Sequence, residues 1–332
     1  MQLRKLFFCV LLGFIGLIPV SIFAQPNSIH VITTFDYPGG TGTSTTPFGI
    51  NGNGDIAGRY ELGSFPNNVT RGFVRFRNGT FSPPLVAPND TGGFTAGFGI
   101  NNARRVGGES LTAATITSPK IFHGFFWNNG VFTQFDFGGP VSTAVTGVND
   151  AGNFTGAFGS IILPNKGFVN IGGTSTAIIV PGACDSFAYG INNSNRVVGE
   201  YRVSCSPTST ATHGFIRSSN GTITNPVDFP GSTSTSLFGI SNSGWIVGSY
   251  NDALGKTHGF LRKNANTYIS FDFPGSTGTS LNGINNSGRI SGRYTDSAGI
   301  RHGFIAQFRK GHGDDDDDDD DNDGGHGEHG DH

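Results

Sequence analysis

Charge is scarce in this chain: 14% of its 332 residues are Asp, Glu, Lys or Arg, beside one methionine, two tryptophans and three cysteines. With 30 phenylalanines to fill a core, so little charge excludes disorder along the full length. Long apolar runs are also lacking. The one such run, Leu6 to Val20, is shorter than the ~20 residues a bilayer helix needs. It follows Arg4 and Lys5 and precedes Ser21-Ile22-Phe23-Ala24, the pattern of a signal peptide over residues 1–24. The expectation is a secreted protein, extracellular or periplasmic, with no membrane span. No nucleophile elbow, metalloprotease His pair or phosphate-cradling glycine loop occurs, which removes those enzyme classes. What is abundant is glycine: 53, with 16 prolines, about one residue in five, which excludes a helical bundle.

Self-similarity organises the rest. A Gly-Ile-Asn element recurs at Gly49, Gly99, Gly147, Gly190, Gly239 and Gly283, with Val148 and Ser241 as variants. A Gly-Phe pair follows each, ending at Phe73, Phe125, Phe168, Phe215, Phe260 and Phe304. Each unit of about 46 residues reads as four short strands. The first carries Gly-Ile-Asn. The second is of the Trp245-Ile246-Val247-Gly248-Ser249-Tyr250 type, the third of the His258-Gly259-Phe260 type, and the fourth ends in Phe271-Asp272-Phe273-Pro274-Gly275. Four antiparallel strands at this period predict an all-β fold, a six-bladed β-propeller of four-stranded antiparallel blades. A β-solenoid, the competing repeat fold, has shorter coils. The sixth unit lacks a fourth strand, while residues 29–39 are a fourth strand with no third strand before it. Pairing the N-terminal strand with the C-terminal repeat closes the ring and leaves no open sheet edge. The propeller domain is thus expected over residues 25–308.

Opposed residues of an antiparallel hairpin have a constant index sum. On that arithmetic His123 faces Asp136, His213 faces Asp228 and His258 faces Asp272. His302 faces Asp36 on the borrowed strand. Where the His position holds Arg71 or Lys166, the facing residues are Val86 and Ile179, so His and Asp come and go together. Because the pair recurs in four blades, it reads as a tie between third and fourth strands rather than as a catalytic site. Cys9 leaves with the signal peptide. Cys184 and Cys205 remain, near-opposite at the open end of a first–second strand hairpin, and are expected to form a disulfide. The Asn/Asp/Gly-rich turns after the first strands lack the terminal Glu of a calcium loop and read as tight-turn chemistry.

After Phe308 the composition changes. Of residues 309–332, the stretch after Arg309 holds 11 of the 24 acids, leaving the body at about +5 and the tail, taken from Lys310, at about −10. The tail is expected to be a disordered acidic extension. Its His312, Asp314, Asp315, Asp316, His326, His329 and His332 offer weak sites for a divalent cation, the one cofactor the sequence suggests.

The segment Gly283–Tyr294 with His302-Gly303-Phe304, and the His258-Gly259-Phe260 unit with its Phe-Asp-Phe-Pro-Gly strand, resemble the bacterial extracellular repeat of the HAF family. That repeat carries His-Ala-Phe where this chain has His-Gly-Phe. The resemblance covers about 280 residues and implies a secreted bacterial protein. It supplies no activity and no catalytic residue.

The sequence therefore points to a non-catalytic, monomeric binding or structural module for an extracellular glycan or protein, with no nucleic-acid partner. The loops between second and third strands vary most, at Ser110–Phe122, Phe158–Lys166 and Arg202–Thr212, so their face is the expected recognition surface. The rival reading is a propeller polysaccharide lyase or hydrolase acting at the central channel. It needs unrepeated acidic groups gathered there, and Glu61, Glu109 and Glu200 are scattered along the chain.

Overall fold

The computed structural model describes residues 28–39, 44–63, 68–113, 120–139, 141–159, 165–206 and 211–309. The signal-peptide region 1–24 and the tail residues His312, Asp314, Asp315, Asp316, His326, His329 and His332 lie outside the described residues, as do 114–119, 160–164 and 207–210 within the three variable loops.

Every described element is a strand, and the strands form the six antiparallel blades of a β-propeller. Blade 1 comprises β2 (Thr45–Ile50), β3 (Ile56–Leu62) and β4 (Val69–Arg75). Blade 2 comprises β5 (Thr95–Ile100), β6 (Val106–Thr112), β7 (Ile121–Asn128) and β8 (Val131–Phe135). Blade 3 runs through β9 (Ser142–Val148), β10 (Phe154–Gly159), β11 (Lys166–Ile171) and β12 (Thr174–Ile178). Blade 4 uses β13 (Asp185–Ile191), β14 (Val197–Arg202), β15 (His213–Arg217) and the short β16 (Ile223–Thr224). Blade 5 is β17 (Ser234–Ile240), β18 (Ile246–Asn251), β19 (Thr257–Asn264) and β20 (Thr267–Phe271). Blade 6 joins β21 (Gly278–Ile284), β22 (Arg289–Thr295) and β23 (Arg301–Arg309) to β1 (Ser28–Phe35), the first described strand.

The closure has the register the sequence implies: Ser28 opposes Arg309 and Phe35 opposes Gly303, with one irregularity between Val31 and Thr33. Blade 1 departs from the four-stranded pattern. Among the described residues its outer edge is met by isolated bridges, Phe94 to Thr70, Leu85 to Gly72 and Phe81 to Arg75, rather than by a fourth strand. Pro83 and Pro84 sit between the last two bridges, and proline cannot donate to a ladder.

Two uses of glycine explain why the units repeat so closely. The Phe of each Gly-Phe pair is at most 2% exposed. Its ring occupies the space over a glycine of the second strand: a Cβ on Gly58 would lie 2.4 Å from Phe73, and one on Gly248 2.9 Å from Phe260. Each such ring is worth roughly 2–3 kcal/mol of burial. The glycines of Gly-Ile-Asn face the axis, where each inner strand meets the next. A Cβ on Gly147 would lie 2.5 Å from the Tyr189 carbonyl oxygen, and one on Gly283 2.5 Å from the Phe48 carbonyl oxygen in blade 1. A side chain there would wedge the blades apart.

The Asn of the same element does more than shape a turn. Asn51 Nδ2 donates to the Asn101 carbonyl oxygen at 3.0 Å, Asn101 to Asn149 at 3.1 Å, Asn149 to Asn192 at 3.0 Å and Asn192 to Ser241 at 3.1 Å. Asn285 donates to Asn51 at 2.9 Å across the closure. The ring of amides has one gap, at Ser241, whose hydroxyl serves only its own turn, taking the Trp245 N–H. The reading of these segments as tight turns alone was incomplete, since the same side chains clasp neighbouring blades.

The Phe-Asp-Phe-Pro-Gly ending likewise joins blades. Its second aromatic stacks on the aromatic that ends the next blade's second strand: Phe229 on Tyr250, Phe273 on Tyr294, Tyr37 on Tyr60 and Phe137 on Phe158, with centroids 3.7–3.9 Å apart.

Candidate functional site

The four His positions each meet their Asp. The imidazole Nδ1–H donates to Asp136 from His123 at 3.1 Å, to Asp228 from His213 at 2.8 Å, to Asp272 from His258 at 2.9 Å and to Asp36 from His302 at 2.8 Å. In blades 5 and 6 the other ring nitrogen reaches a second carboxylate, Asp252 at 3.2 Å and Asp296 at 3.3 Å. Desolvation opposes the charged form of His302, but the two carboxylates outweigh it and raise its pKa. Arg71, for which no opposing acid was expected, pairs at 3.0 Å with Asp90. That acid comes from the connection into blade 2 rather than from the facing strand, where register arithmetic cannot find it. Cys184 and Cys205 form a disulfide beside β13 and β14, their Cα atoms 5.5 Å apart, which fits an oxidising compartment. All these groups lie on the outer strands or at hairpin ends.

The axis holds something different. A cavity of about 600 Å³ is lined by the inner strands of all six blades. At one end the branched side chains Ile50, Ile100, Val148, Ile191, Ile240 and Ile284 separate it from a smaller polar space bounded by the Asn-rich turns. At the other end Phe122, Ser142 and Asn165 belong to its wall, on the face that carries the variable loops.

A β-bulge decides what points into this cavity. In blades 3, 4, 5 and 6 the ladder between first and second strands skips Thr146, Tyr189, Phe238 and Asn282. Blades 1 and 2 are irregular over the stretches containing Phe48 and Phe98. An extra residue re-aims its side chain, and all six of these residues line the cavity. Phe48 and Phe98 meet edge-to-face at 4.9 Å, and Tyr189 and Phe238 at 5.3 Å.

The second channel-side position follows the glycine of each second strand and holds Arg59, Glu109, Ala157, Glu200, Ser249 and Arg293. Arg59, Glu109, Ala157 and Arg293 line the cavity. Glu200 accepts a hydrogen bond from Tyr189 Oη at 3.0 Å. The expectation that the unrepeated acids are scattered is therefore overturned. Glu109 and Glu200 are 91 residues apart yet occupy the same place in their units, and the ring sets Glu109 in the cavity lining and Glu200 against Tyr189, which lines it. Glu61 stands near Arg59 (3.9 Å) and Arg301 (3.5 Å). The signal was present in the sequence: aligning the units column by column leaves Arg, Glu, Glu and Arg in four of the six places after the repeated glycine.

Burial governs the electrostatics. It pushes the Glu109 carboxyl up to about 7, with Arg59 opposing. It also raises Tyr189 and Glu200, the latter against hydrogen bonds from Ser236 and Tyr189. Burial pushes Arg293 down to about 10, aided by repulsion from Arg301 and Arg59. Arg59 Nε is buried without a hydrogen-bond partner. Among the described residues no hydrogen bond reaches the Arg293 guanidinium or the Glu109 carboxylate. Such perturbed groups gathered in one concave space mark a candidate functional site. Among the described residues no cluster of three or more His, Cys, Asp or Glu has the arrangement of a metal site.

No protein-family model matches the chain, and no curated protein matches it in sequence. Solved structures resemble it over much of its length. The β-propeller domain of the Trilobed protease from Pyrococcus furiosus is 12% identical at a TM-score of 0.42, over 66% of this chain and 64% of that one. Acylaminoacyl peptidase from Pyrococcus horikoshii is 8% identical at 0.48, over 80% and 52%. Trypanosoma rangeli sialidase is 12% identical at 0.45, over 86% and 60%. This chain thus spans about half to two thirds of the length of each, and at these identities the likeness is one of fold alone.

Proposed function

We propose that this is a secreted, non-catalytic propeller that binds a sugar unit of an extracellular glycan in its central channel, entered from the face of the variable loops. One observation carries this reading. Across six units the packing residues repeat: the axial glycines, the Ile/Val ring, the Gly-Phe pairs. The bulge position, which lines the cavity in every blade, does not, holding Phe, Phe, Thr, Tyr, Phe and Asn, and neither does the position beside it, where Arg59, Glu109, Ala157 and Arg293 line the cavity in four blades and Glu200 and Ser249 stand in the other two. A scaffold has no need of such varied residues at equivalent places, whereas an asymmetric ligand does. The His–Asp pairs repeat with the scaffold and act as strand ties. The disulfide and the leader-like N-terminus support export.

The test is a glycan array probed with the full chain and with Ala144→Trp, which fills the cavity wall. Signals that vanish in the variant support the channel. Signals that persist place recognition on the outer loops and overturn it.

A second reading, hydrolysis or elimination on a polysaccharide at the same channel, is favoured by the Tyr189–Glu200 hydrogen bond beside Glu109. Mass spectrometry of bound oligosaccharides after prolonged incubation separates the two, since a binding module returns them intact.

A further inference from the structure

We infer that the channel's ligand carries a carboxylate, held between Arg59 and Arg293, on a ring-shaped body that lies against the aromatic wall. This rests on the channel reading above and names the class of ligand. An acidic sugar unit and an aromatic acid both present that chemistry.

The two arginines occupy the same position in adjacent blades, 1 and 6, and both line the cavity. They are close enough to repel each other. Their own surroundings leave them short of acceptors. Arg59 packs its guanidinium toward the Phe48 and Phe94 rings, 5.9 and 5.7 Å away, and its Nε is buried and unpartnered. Its nearest carboxylate, Glu61, stands at 3.9 Å and is shared with Arg301. Arg293 makes no hydrogen bond and no close ion pair among the described residues, the attraction of Glu61 being the weakest of the influences on it. Glu109 is the acid that lines the cavity, and its carboxyl, raised to about 7, gives only part of a counter-charge at neutral pH.

Two desolvated guanidinium groups short of hydrogen-bond acceptors are costly. A carboxylate offsets that cost because two oxygens match the planar fork of an arginine and can bridge a pair. The remainder of the ligand meets Phe48, Phe98, Tyr189 and Phe238, whose faces suit a ring carrying C–H bonds. A bare phosphate would use the arginines and leave this wall empty. The cavity volume falls within the range of small-ligand sites.

The test is calorimetric titration of the full chain with four probes: digalacturonate, benzoate, neutral galactobiose and inorganic phosphate. At least one of the two carboxylates should bind, and which one does separates the sugar from the aromatic source. Arg59→Met and Arg293→Met should each weaken that binding tenfold or more, with thermal melts confirming that the variants fold. Arg293→Lys should recover only part of the loss. Galactobiose binding as tightly as digalacturonate, phosphate binding while both carboxylates are silent, or arginine variants that bind normally would overturn the inference and leave the channel reading standing. Silence from all four probes would also overturn it. Failure of the channel reading itself would show separately, as array signals indifferent to Ala144→Trp.

Discussion

His302 Nδ1 lies 2.8 Å from Asp36 Oδ2, so one hydrogen bond ties residues 266 apart in sequence and fastens the last strand of the propeller to the first. Asp296 holds the other ring nitrogen at 3.3 Å, and the His302 pKa is raised. A raised folded-state value means that the stabilisation is fully present below the ordinary 6.5 and is lost as pH rises through the folded value. His302→Ala should therefore lower stability by about 1 kcal/mol near pH 6, the half-exposed Asp36 keeping the figure modest. The gap from wild type should narrow at pH 8. Thermal melts at the two pH values check both points.

The axial glycines make a steric prediction. With the Tyr189 carbonyl oxygen 2.5 Å from where a Cβ would sit, Gly147→Ala has no flexible neighbour to displace. It should cost about 2 kcal/mol, measurable by urea unfolding. An unchanged midpoint would mean that the inner strands are not so closely set.

Ser241 is the one gap in the ring of Asn clasps. Ser241→Asn keeps an acceptor for the Trp245 N–H and adds a donor for the Asn285 carbonyl oxygen, completing the ring. Stability should rise by about 0.5–1 kcal/mol; a lower melting temperature would contradict the clasp.

Much of this fold was legible because repeats allow arithmetic. His258 and Asp272 have the same index sum as Gly259 and Phe271, which the ladder pairs, and His302 with Asp36 matches Gly303 with Phe35. What stayed hidden is the consequence of one extra residue. Strict alternation along Leu237-Phe238-Gly239 misplaces the faces, and only the bulge turns Phe238 to the axis. The gathering of Glu109 and Glu200 was missed for a related reason: distance along a chain says little about distance round a ring. Asp90 reaches Arg71 from a connection rather than from a paired strand, and strand register says nothing about connections.

Glu109 gives a pH test of the channel itself. Burial raises its carboxyl from 4.5 to about 7, so its ionisation begins to cost folding free energy as pH climbs past 4.5, and the cost is complete above about 7. Glu109→Gln should match wild type at pH 4 and exceed it at pH 8 by on the order of 2 kcal/mol. Parallel stability curves would show that the carboxyl is not desolvated.

The central claim is that repeated residues carry the fold and unrepeated channel residues carry recognition. The direct measurement is a symmetrised protein, with Arg59, Glu109, Glu200 and Arg293 all replaced by the Ser that blade 5 has at Ser249, followed by melting temperature and glycan-array binding. The account predicts a melting temperature within a few degrees of wild type or above it, and an array gone silent. A protein that no longer folds, or one that binds as before, would contradict it.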